Sequence, residues 1–282
     1  MSHIIAVVNQ KGGVGKTTTT FALGTALASR GLAVLLVDFD PQASLTAATG
    51  FEPDDLDRTI YTLMDDYLQT LTPPDLTTTR LEVIPGVDLL PANIDLAAAE
   101  FELVTASRRE YVLQQILAAA AYDVVLIDCP PSLGILTINA LTAAESVLVP
   151  VVPAYLSVRG LNALMRSIER TRRAGLNLSL GISGVLLTIV KEREAHARRA
   201  IETVHAHLGA DVPILGTIKR SARVDDAAER GVPLTRYAAT REVAEAYQSV
   251  ADELLARWGL SQPVTTTRKQ QPTPAGAGVS HE

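Results

Sequence analysis

Hydrophobic and polar positions fall into blocks that predict alternating strands and helices along most of the chain. Short apolar runs rich in β-branched residues have the length of buried strands. These predicted strands cover residues 4–8, 33–37, 124–127, 146–152, 184–189 and 214–218. The predicted helices cover residues 18–28, 96–120 with a break near Thr105, 137–144, 159–173, 194–208 and 243–257. This alternation predicts an α/β fold, with a doubly wound, mostly parallel sheet and helices on both faces.

Two stretches lack the alternating pattern. Residues 43–95 are rich in proline and threonine, so they are predicted to be irregular, with short strand segments around Pro85-Gly86. From residue 261 onward the chain consists mainly of Gln, Pro, Thr, Gly and Ser and lacks the apolar residues needed for packing. We therefore predict one domain over residues 1–260 and a disordered tail over residues 261–282.

A glycine-rich loop follows the first predicted strand and is followed in turn by Lys16, Thr17 and a helix. Backbone N–H groups must approach a triphosphate closely, and a Cβ at the glycine positions would obstruct them. The N–H groups of such a loop and of the helix N-terminus form a site for anions. The arrangement predicts a P-loop. The predicted ATP-binding residues are Lys11, Gly12, Gly13, Val14, Gly15, Lys16, Thr17 and Thr18.

Two side chains of this loop have predicted roles toward the phosphates. Lys16 can reach the β- and γ-phosphates, and the Thr17 hydroxyl can ligate the Mg²⁺ that bridges them. An ordinary turn between a strand and a helix is the alternative, but loop spacing and flanking elements together disfavour it. The loop departs from the common GxxxxGK[ST] spacing, because Gln10 replaces the first glycine and a second lysine, Lys11, precedes the others.

Aspartates follow two further predicted strands. The second strand runs into Asp38 and Asp40, and the third runs into Asp128. An apolar run that ends in Asp is the Walker B pattern, at the edge where an open α/β sheet binds its ligand. Asp128 is predicted to hold Mg²⁺, through a water molecule. Asp40 is a candidate to orient the water that attacks the γ-phosphate, with helix or turn capping as the alternative role.

Composition narrows the class of protein. With 47% hydrophobic residues, the chain can bury a substantial core. The single cysteine, Cys129, excludes an intrachain disulfide framework and a Cys-rich metal site, and is interpreted as a packing residue. The histidines show no metal-ligand spacing. No signal peptide or membrane-spanning run is visible, so a cytoplasmic location is predicted.

The net charge of −6 gives no general support for nucleic-acid binding, so any DNA-binding surface must be a local basic patch. One candidate cluster contains Lys191, Arg193, Arg198 and Arg199, and another contains Lys219, Arg220 and Arg223. Both follow predicted strands of one sheet, so they could meet on one face. A solvated charged face is the alternative interpretation.

Several segments resemble the ParA/Soj family of DNA-partitioning ATPases, in the deviant-Walker-A ParA/MinD superfamily. They read KGGVGKTT, VLLVDFDPQAS and VVLIDCPPSLGILTINAL, and the resemblance continues through VPVVPAYLSVRGL, GVLLTIVKER and GTIKRSARVDDAAERGVPLTRY. It spans about residues 3–258. The resemblance implies a slow ATPase that forms an ATP-dependent homodimer and binds nonspecific double-stranded DNA. It also implies a ParB-type partner that stimulates hydrolysis, and association with the nucleoid during chromosome or plasmid segregation.

The resemblance also implies roles for individual residues. Lys11 would reach the nucleotide of the partner subunit, and Lys11, Lys16 and Asp40 would be the catalytic residues. The predicted DNA-binding residues are Arg193, Arg223, Arg220, Lys219 and Lys191. The chain departs from the family here, because residues 219–223 read KRSAR where Pro-Arg-Asn-Val-Arg is common, and Glu192 and Glu194 flank Arg193. Residues 39–46 and 128–136 are predicted to respond to the γ-phosphate.

Other functions stay open at this point. A relative could position a cargo other than DNA, which the sequence separates poorly from DNA partitioning. A Min-type ATPase would need a C-terminal amphipathic helix, and the proline- and glycine-containing tail argues against one, so no stable membrane association is predicted. A metabolic P-loop enzyme is a further alternative. A reductase with a four-cysteine iron–sulfur cluster is disfavoured because two chains would supply only two cysteines.

Overall fold

A computed structural model describes residues 2–153, 158–191 and 194–260. Within them the chain forms one eight-stranded sheet in the order β3-β4-β2-β5-β1-β6-β7-β8. The strands are β1 His3–Val7, β2 Val34–Asp38, β3 Leu81–Ile84, β4 Val87–Leu90, β5 Val124–Asp128, β6 Ser146–Val151, β7 Gly181–Val190 and β8 Ile214–Lys219. All neighbouring pairs are parallel except β3 and β4, which form an antiparallel hairpin. The predicted α/β fold class is confirmed.

Ten α-helices are seen in the described ranges. They are α1 Lys16–Ala28, α2 Ser44–Ala48, α3 Ile60–Thr70, α4 Leu96–Thr105, α5 Val112–Leu117, α6 Ile135–Ala143, α7 Val158–Arg173, α8 Glu194–Leu208, α9 Arg223–Glu229 and α10 Arg241–Arg257. None of them is long and apolar enough to cross a membrane.

The helices cover both faces of the sheet and create two cores. Helices α3 to α8 contribute to one core, and α1, α2, α9 and α10 contribute to the other. Strand β2 shows the reason: Leu35 and Val37 belong to the first core, while Val34 and Leu36 belong to the second. Successive side chains of a strand point to opposite faces, so a strand covered on both sides must be apolar throughout.

Residues 43–95 are more regular than predicted. The structure places α2 and α3 there, so the prediction of an irregular stretch is wrong for these parts. The short strand segments predicted around Pro85-Gly86 are confirmed as the β3–β4 hairpin. Helix α3 begins at a capping box made by Thr59 and Thr62 and buries Ile60, Leu63 and Met64. This i, i+3, i+4 spacing was the available signal, and the surrounding prolines and threonines obscured it.

The remaining predictions differ mainly at the ends of elements. The predicted helix over 96–120 does break after Thr105, giving α4 and α5 with a short turn between them. Helix α9 has no counterpart among the predicted elements. The predicted tail, residues 261–282, lies outside the described residues.

Three central strands end together and position the candidate site. In the register of the sheet, Val7 lies beside Asp128, and Asp128 lies beside Asp38. The glycine-rich loop follows β1, so both aspartates are brought to the loop by strand pairing. This edge is formed by the carboxyl ends of parallel strands, where open α/β sheets bind their ligands.

Candidate functional site

The loop between β1 and α1 has the backbone that only glycine adopts readily. Gly13 and Gly15 have φ angles of 69° and 82°, in the left-handed region. No heavy atom of the described chain lies within 4 Å of a Cβ built on Gly12 or Gly13. The space above these two glycines is therefore open to a ligand, while the backbone geometry of Gly13 disfavours a side chain.

Polar side chains anchor the loop from below. Asn9 accepts a hydrogen bond from the Lys11 backbone N–H at 3.0 Å, and its own side-chain amide donates to the Pro150 carbonyl at 2.7 Å. On the far side of the loop, the buried Thr188 hydroxyl donates to the Val14 carbonyl at 2.7 Å. These bonds tie both ends of the loop to β6 and β7, so the loop conformation is fixed by neighbouring strands.

Lys16 is the first residue of α1, directly after the loop, and is 7% exposed. Its ammonium group donates to the Lys11 carbonyl at 3.4 Å. Burial lowers the pKa of Lys16, and the negative charges of Asp128 and Asp40 oppose that shift. A buried ammonium beside an open, N–H-lined loop provides positive charge where a phosphate would lie.

Asp128 faces Thr17 across the edge of the sheet. The Thr17 hydroxyl donates to Asp128 Oδ2 at 2.7 Å, while the buried Oδ1 has no hydrogen-bond partner. Burial raises the pKa of Asp128 well above its ordinary value, and the charge of Asp38 raises it further. A threonine hydroxyl and a carboxylate with an unpartnered oxygen are the donors that Mg²⁺ prefers, so these residues fit that ion.

Asp38 has a different environment from Asp128. Its Oδ2 accepts hydrogen bonds from the backbone N–H and the hydroxyl of Thr46, both at 2.8 Å. Burial raises its pKa to about 6, and the bonds from Thr46 act in the opposite direction. Asp38 therefore holds the start of α2 against the end of β2.

Asp40 lies at the rim of the same edge and is partly exposed. Its Oδ1 accepts a hydrogen bond from the Gln42 backbone N–H at 3.0 Å, so it caps a turn. The negative charge of this carboxylate, like that of Asp128, partly opposes the lowering of the Lys16 pKa by burial. Capping and a position beside the phosphate loop are compatible, because a carboxylate has a second oxygen.

A cavity of about 880 Å³ opens next to the loop. Its lining includes Gly15 from the loop, Thr18 from α1, Thr188 from β7, Lys219 from β8 and Tyr247 from α10. The buried Tyr247 hydroxyl hydrogen-bonds the Thr19 hydroxyl at 3.1 Å, and burial raises its pKa to about 12. The volume lies in the range of small-molecule sites, so the cavity could hold the rest of a nucleotide.

The predicted DNA-binding residues are partly brought together. Lys191, Lys219 and Arg220 line one hollow of about 460 Å³ at the ends of β7 and β8. Two of the predicted cations form ion pairs, Lys219 with Glu242 at 2.5 Å and Arg223 with Asp226 at 2.9 Å. Arg193 lies outside the described residues. Intramolecular pairing weakens this patch, since carboxylates lie beside the cations that would meet phosphates.

The cysteine and the histidines form no metal site among the described residues. Cys129 is fully buried, and burial raises the pKa of its thiol well above the ordinary value, which agrees with its interpretation as a packing residue. No group of three His, Cys, Asp or Glu residues is arranged to hold a metal ion among the residues described. His3 instead stacks on Trp258 with ring centroids 4.6 Å apart.

No role is predicted from the sequence for Thr46 or Tyr247, and Thr188 is predicted only to lie near the adenine of the nucleotide. Each is buried and bonded to the loop, to α1 or to Asp38. No local motif marks them. The only signal was the position of Thr188 near the end of a predicted strand, since strand ends on this edge surround the ligand.

The chain is similar in sequence to a known family and to several named proteins. A family described as an AAA domain matches residues 2–182. The chain is 41% identical to the sporulation initiation inhibitor protein Soj of Bacillus subtilis, over 91% of this chain and 99% of that protein. It is also 41% identical to the chromosome partitioning protein ParA of Caulobacter vibrioides, over 90% of this chain and 94% of that protein.

Solved structures agree in fold. A Mycobacterium smegmatis protein named cobyrinic acid a,c-diamide synthase, solved with an ATP analog and magnesium, has a TM-score of 0.76 and 37% identity. The match covers 93% of this chain and 98% of that one. The septum site-determining protein MinD of Pyrococcus horikoshii, complexed with Mg-ADP, has a TM-score of 0.73 and 25% identity, covering 94% and 100% of the two chains.

Proposed function

Because the chain belongs to the ParA/Soj family of partitioning ATPases, we propose that it is an ATP-dependent dimerisation switch for DNA segregation. In its ATP state it would form a homodimer and bind nonspecific double-stranded DNA on the nucleoid. A ParB-type partner would stimulate hydrolysis and so release the DNA. The observation that carries this proposal is the open glycine loop, with Lys16 buried in it and Thr17 bonded to Asp128.

The nucleotide of this proposal is ATP with Mg²⁺. The loop N–H groups and Lys16 would bind the phosphates, and the cavity beside Thr188 and Tyr247 would accept the nucleoside. Thr17 and Asp128 would hold the ion, the aspartate through a water molecule. When bound, Mg²⁺ neutralises charge on the β- and γ-phosphates.

Two residues would carry the reaction and its coupling to assembly. Asp40 would orient the water that attacks the γ-phosphate, because its carboxylate lies at the rim of the loop. Lys11 is exposed on the open side of the loop, where a second subunit could approach. It would contact the nucleotide of that subunit, so that dimerisation depends on ATP.

A second candidate function follows from the relative named as a diamide synthase, which is 37% identical. This would be an ATP-dependent amidation of a carboxylic acid rather than a switch. The two functions differ in what ATP turnover requires. A synthase needs its acid and an amide donor, whereas a partitioning ATPase turns over slowly with ATP alone and faster with its partner.

The proposal is tested with wild-type protein and Lys16→Ala, in the presence of a non-hydrolysable ATP analogue or ADP. Light scattering would give the oligomeric state, and anisotropy would measure binding to two unrelated duplexes of equal length. We expect the analogue to produce a dimer that binds both duplexes equally. Neither ADP nor Lys16→Ala should produce the dimer or DNA binding. ADP lacks the γ-phosphate, and Lys16→Ala lacks the positive charge that faces the β- and γ-phosphates.

Four results would contradict the proposal. DNA binding that is equal with ADP would remove the switch, and binding to one duplex only would make the contact sequence-specific. A dimer without DNA affinity would favour a cargo other than DNA. ATP turnover that requires an acid and an amide donor would favour the synthase.

A further inference from the structure

Helix α7 carries a line of arginines on its outward face. Arg159, Arg166, Arg170 and Arg173, here called the arginine stripe, are spaced by seven, four and three residues. At 3.6 residues per turn they fall within one narrow arc of the helix. At 1.5 Å per residue the stripe is about 21 Å long. All four residues are exposed.

The opposite face of α7 packs against the protein core. Leu161, Leu164 and Ile168 are exposed by 3% or less and pack against the sheet. Arg172, which is not part of the stripe, donates through Nε to the Leu180 carbonyl at 2.8 Å and holds the end of the helix. The direction of the stripe is therefore fixed, and α7 has no free apolar face to insert into a bilayer.

Few carboxylates accompany the stripe. Among the ion pairs of the described residues, Arg173 pairs with Glu169 at 3.4 Å, and none includes Arg159, Arg166 or Arg170. Arg159 and Arg166 line a hollow of about 540 Å³ whose described lining contains no acidic residue.

The part of the stripe around Arg170 is less uniformly basic. Arg170 lines a groove that also contains Glu100, Arg109 and Glu110, where Arg109 pairs with Glu110 at 3.0 Å. The net positive character is therefore strongest toward the P-loop end of α7. The patch at the ends of β7 and β8 differs, because there Lys219 and Arg223 are already paired with carboxylates.

We propose that the arginine stripe is a DNA-contact surface, binding the phosphate backbone of one strand in the ATP-state dimer. This inference rests on the proposed function, and adds a surface separate from Lys191, Lys219, Arg220 and Arg223. Arginine binds phosphate well, and a helix face of this length meets several successive phosphates. Phosphates carry no sequence information, so the contact is nonspecific. On a chain of net charge −6, such a local concentration of cations directs DNA to this face.

The test compares the double variant Arg166→Gln/Arg170→Gln with the control Arg241→Gln/Arg257→Gln. The control removes two exposed arginines from α10, on the opposite face of the sheet, so both variants change the net charge from −6 to −8. DNA affinity is measured by anisotropy over a range of salt concentrations with a non-hydrolysable ATP analogue. ATP-analogue binding and dimer mass are measured in parallel.

Each phosphate contact contributes about 0.9 to the slope of log affinity against log salt. We therefore expect the stripe variant to lower the slope by about 1.8 per protomer and to weaken binding roughly tenfold or more at 0.1 M salt. The control should change both values little. Nucleotide binding and dimer mass should stay at wild-type values in both variants.

The outcomes separate this inference from the function on which it rests. Wild-type protein that binds no DNA would overturn the proposed function. Wild-type protein that binds DNA, with a stripe variant indistinguishable from the control, would overturn the stripe alone. Loss of the dimer in the stripe variant would make the stripe a subunit interface. Stripe-dependent binding to phosphatidylserine vesicles, without an effect on DNA, would make it a lipid surface, and either result overturns the DNA contact.

Discussion

Asp128 is a fully buried acidic residue, and its hydrogen-bond partners explain how it could bind a cation. One oxygen accepts from Thr17 and the other has no partner. Burying a charged oxygen without a partner is costly, which is why the pKa of Asp128 is raised. A divalent cation would supply the missing partner and stabilise the ionised form. At the scale of single residues, Asp128 and Thr17 together have the chemistry that fits a divalent cation.

Asp40→Ala is predicted to separate ATP binding from hydrolysis. The variant keeps the loop, Lys16 and Thr17, so nucleotide affinity and dimerisation should be unchanged. It loses the carboxylate that would orient water, so the rate of phosphate release should fall by roughly a hundredfold or more. Asp54→Ala removes an exposed carboxylate from a surface turn and serves as the matched control. Wild-type turnover in Asp40→Ala would exclude Asp40 from the reaction.

At the scale of elements, the ends of two helices meet through their backbones. Gly50 follows α2 and Gly231 follows α9, and a Cβ built on Gly231 would lie 2.4 Å from the Gly50 Cα. The contact supports α2, whose Thr46 holds Asp38. Glycine at both positions thus allows an approach that helps to form the site.

Gly231→Ala is predicted to destabilise the protein more than Gly175→Ala. Both glycines have positive φ, 61° and 71°, but no heavy atom of the described chain lies within 4 Å of a Cβ at Gly175. Gly175→Ala should therefore cost only the left-handed backbone, about 1–2 kcal/mol. Gly231→Ala adds a backbone clash, worth about 1–3 kcal/mol more. Urea unfolding measures both, and equal losses would show that α2 and α9 separate easily.

At the scale of the whole molecule, strand order brings distant segments to one edge. Strand β1 lies between β5 and β6, and β5 lies between β1 and β2. The P-loop, Asp38, Asp128 and the hollow lined by Lys11 therefore share the carboxyl edge of the sheet. In the proposed ATP-state dimer, the second subunit would approach the nucleotide from the open side of this edge.

Lys11→Gln is predicted to bind ATP as a monomer and to fail to form the nucleotide dimer. The substitution leaves Lys16 and the glycines in place, but removes the charge that would contact the nucleotide of the partner subunit. Light scattering with ATP in an Asp40→Ala background measures the effect, and Arg241→Gln controls for the loss of one exposed cation. A normal ATP dimer would leave Lys11 as an ordinary loop lysine.

The sequence by itself determined the features that depend on covalent neighbours. The P-loop was predictable because strand, glycines, Lys16 and Thr17 are consecutive, and their backbone preferences act locally. The alternating fold class was predictable because buried strands must be apolar along their length. Asp128 was identified as a strand-end carboxylate for the same reason.

Only the tertiary structure decided which distant side chains meet. Thr17 and Asp128 are 111 residues apart, and Val14 and Thr188 are 174 residues apart, yet each pair is joined by a hydrogen bond of 2.7 Å. The sequence also showed Lys219 as a cation but not its pairing with Glu242 on another element. Such contacts depend on strand order and helix packing, which combine many weak interactions over the whole chain. No local pattern records their outcome.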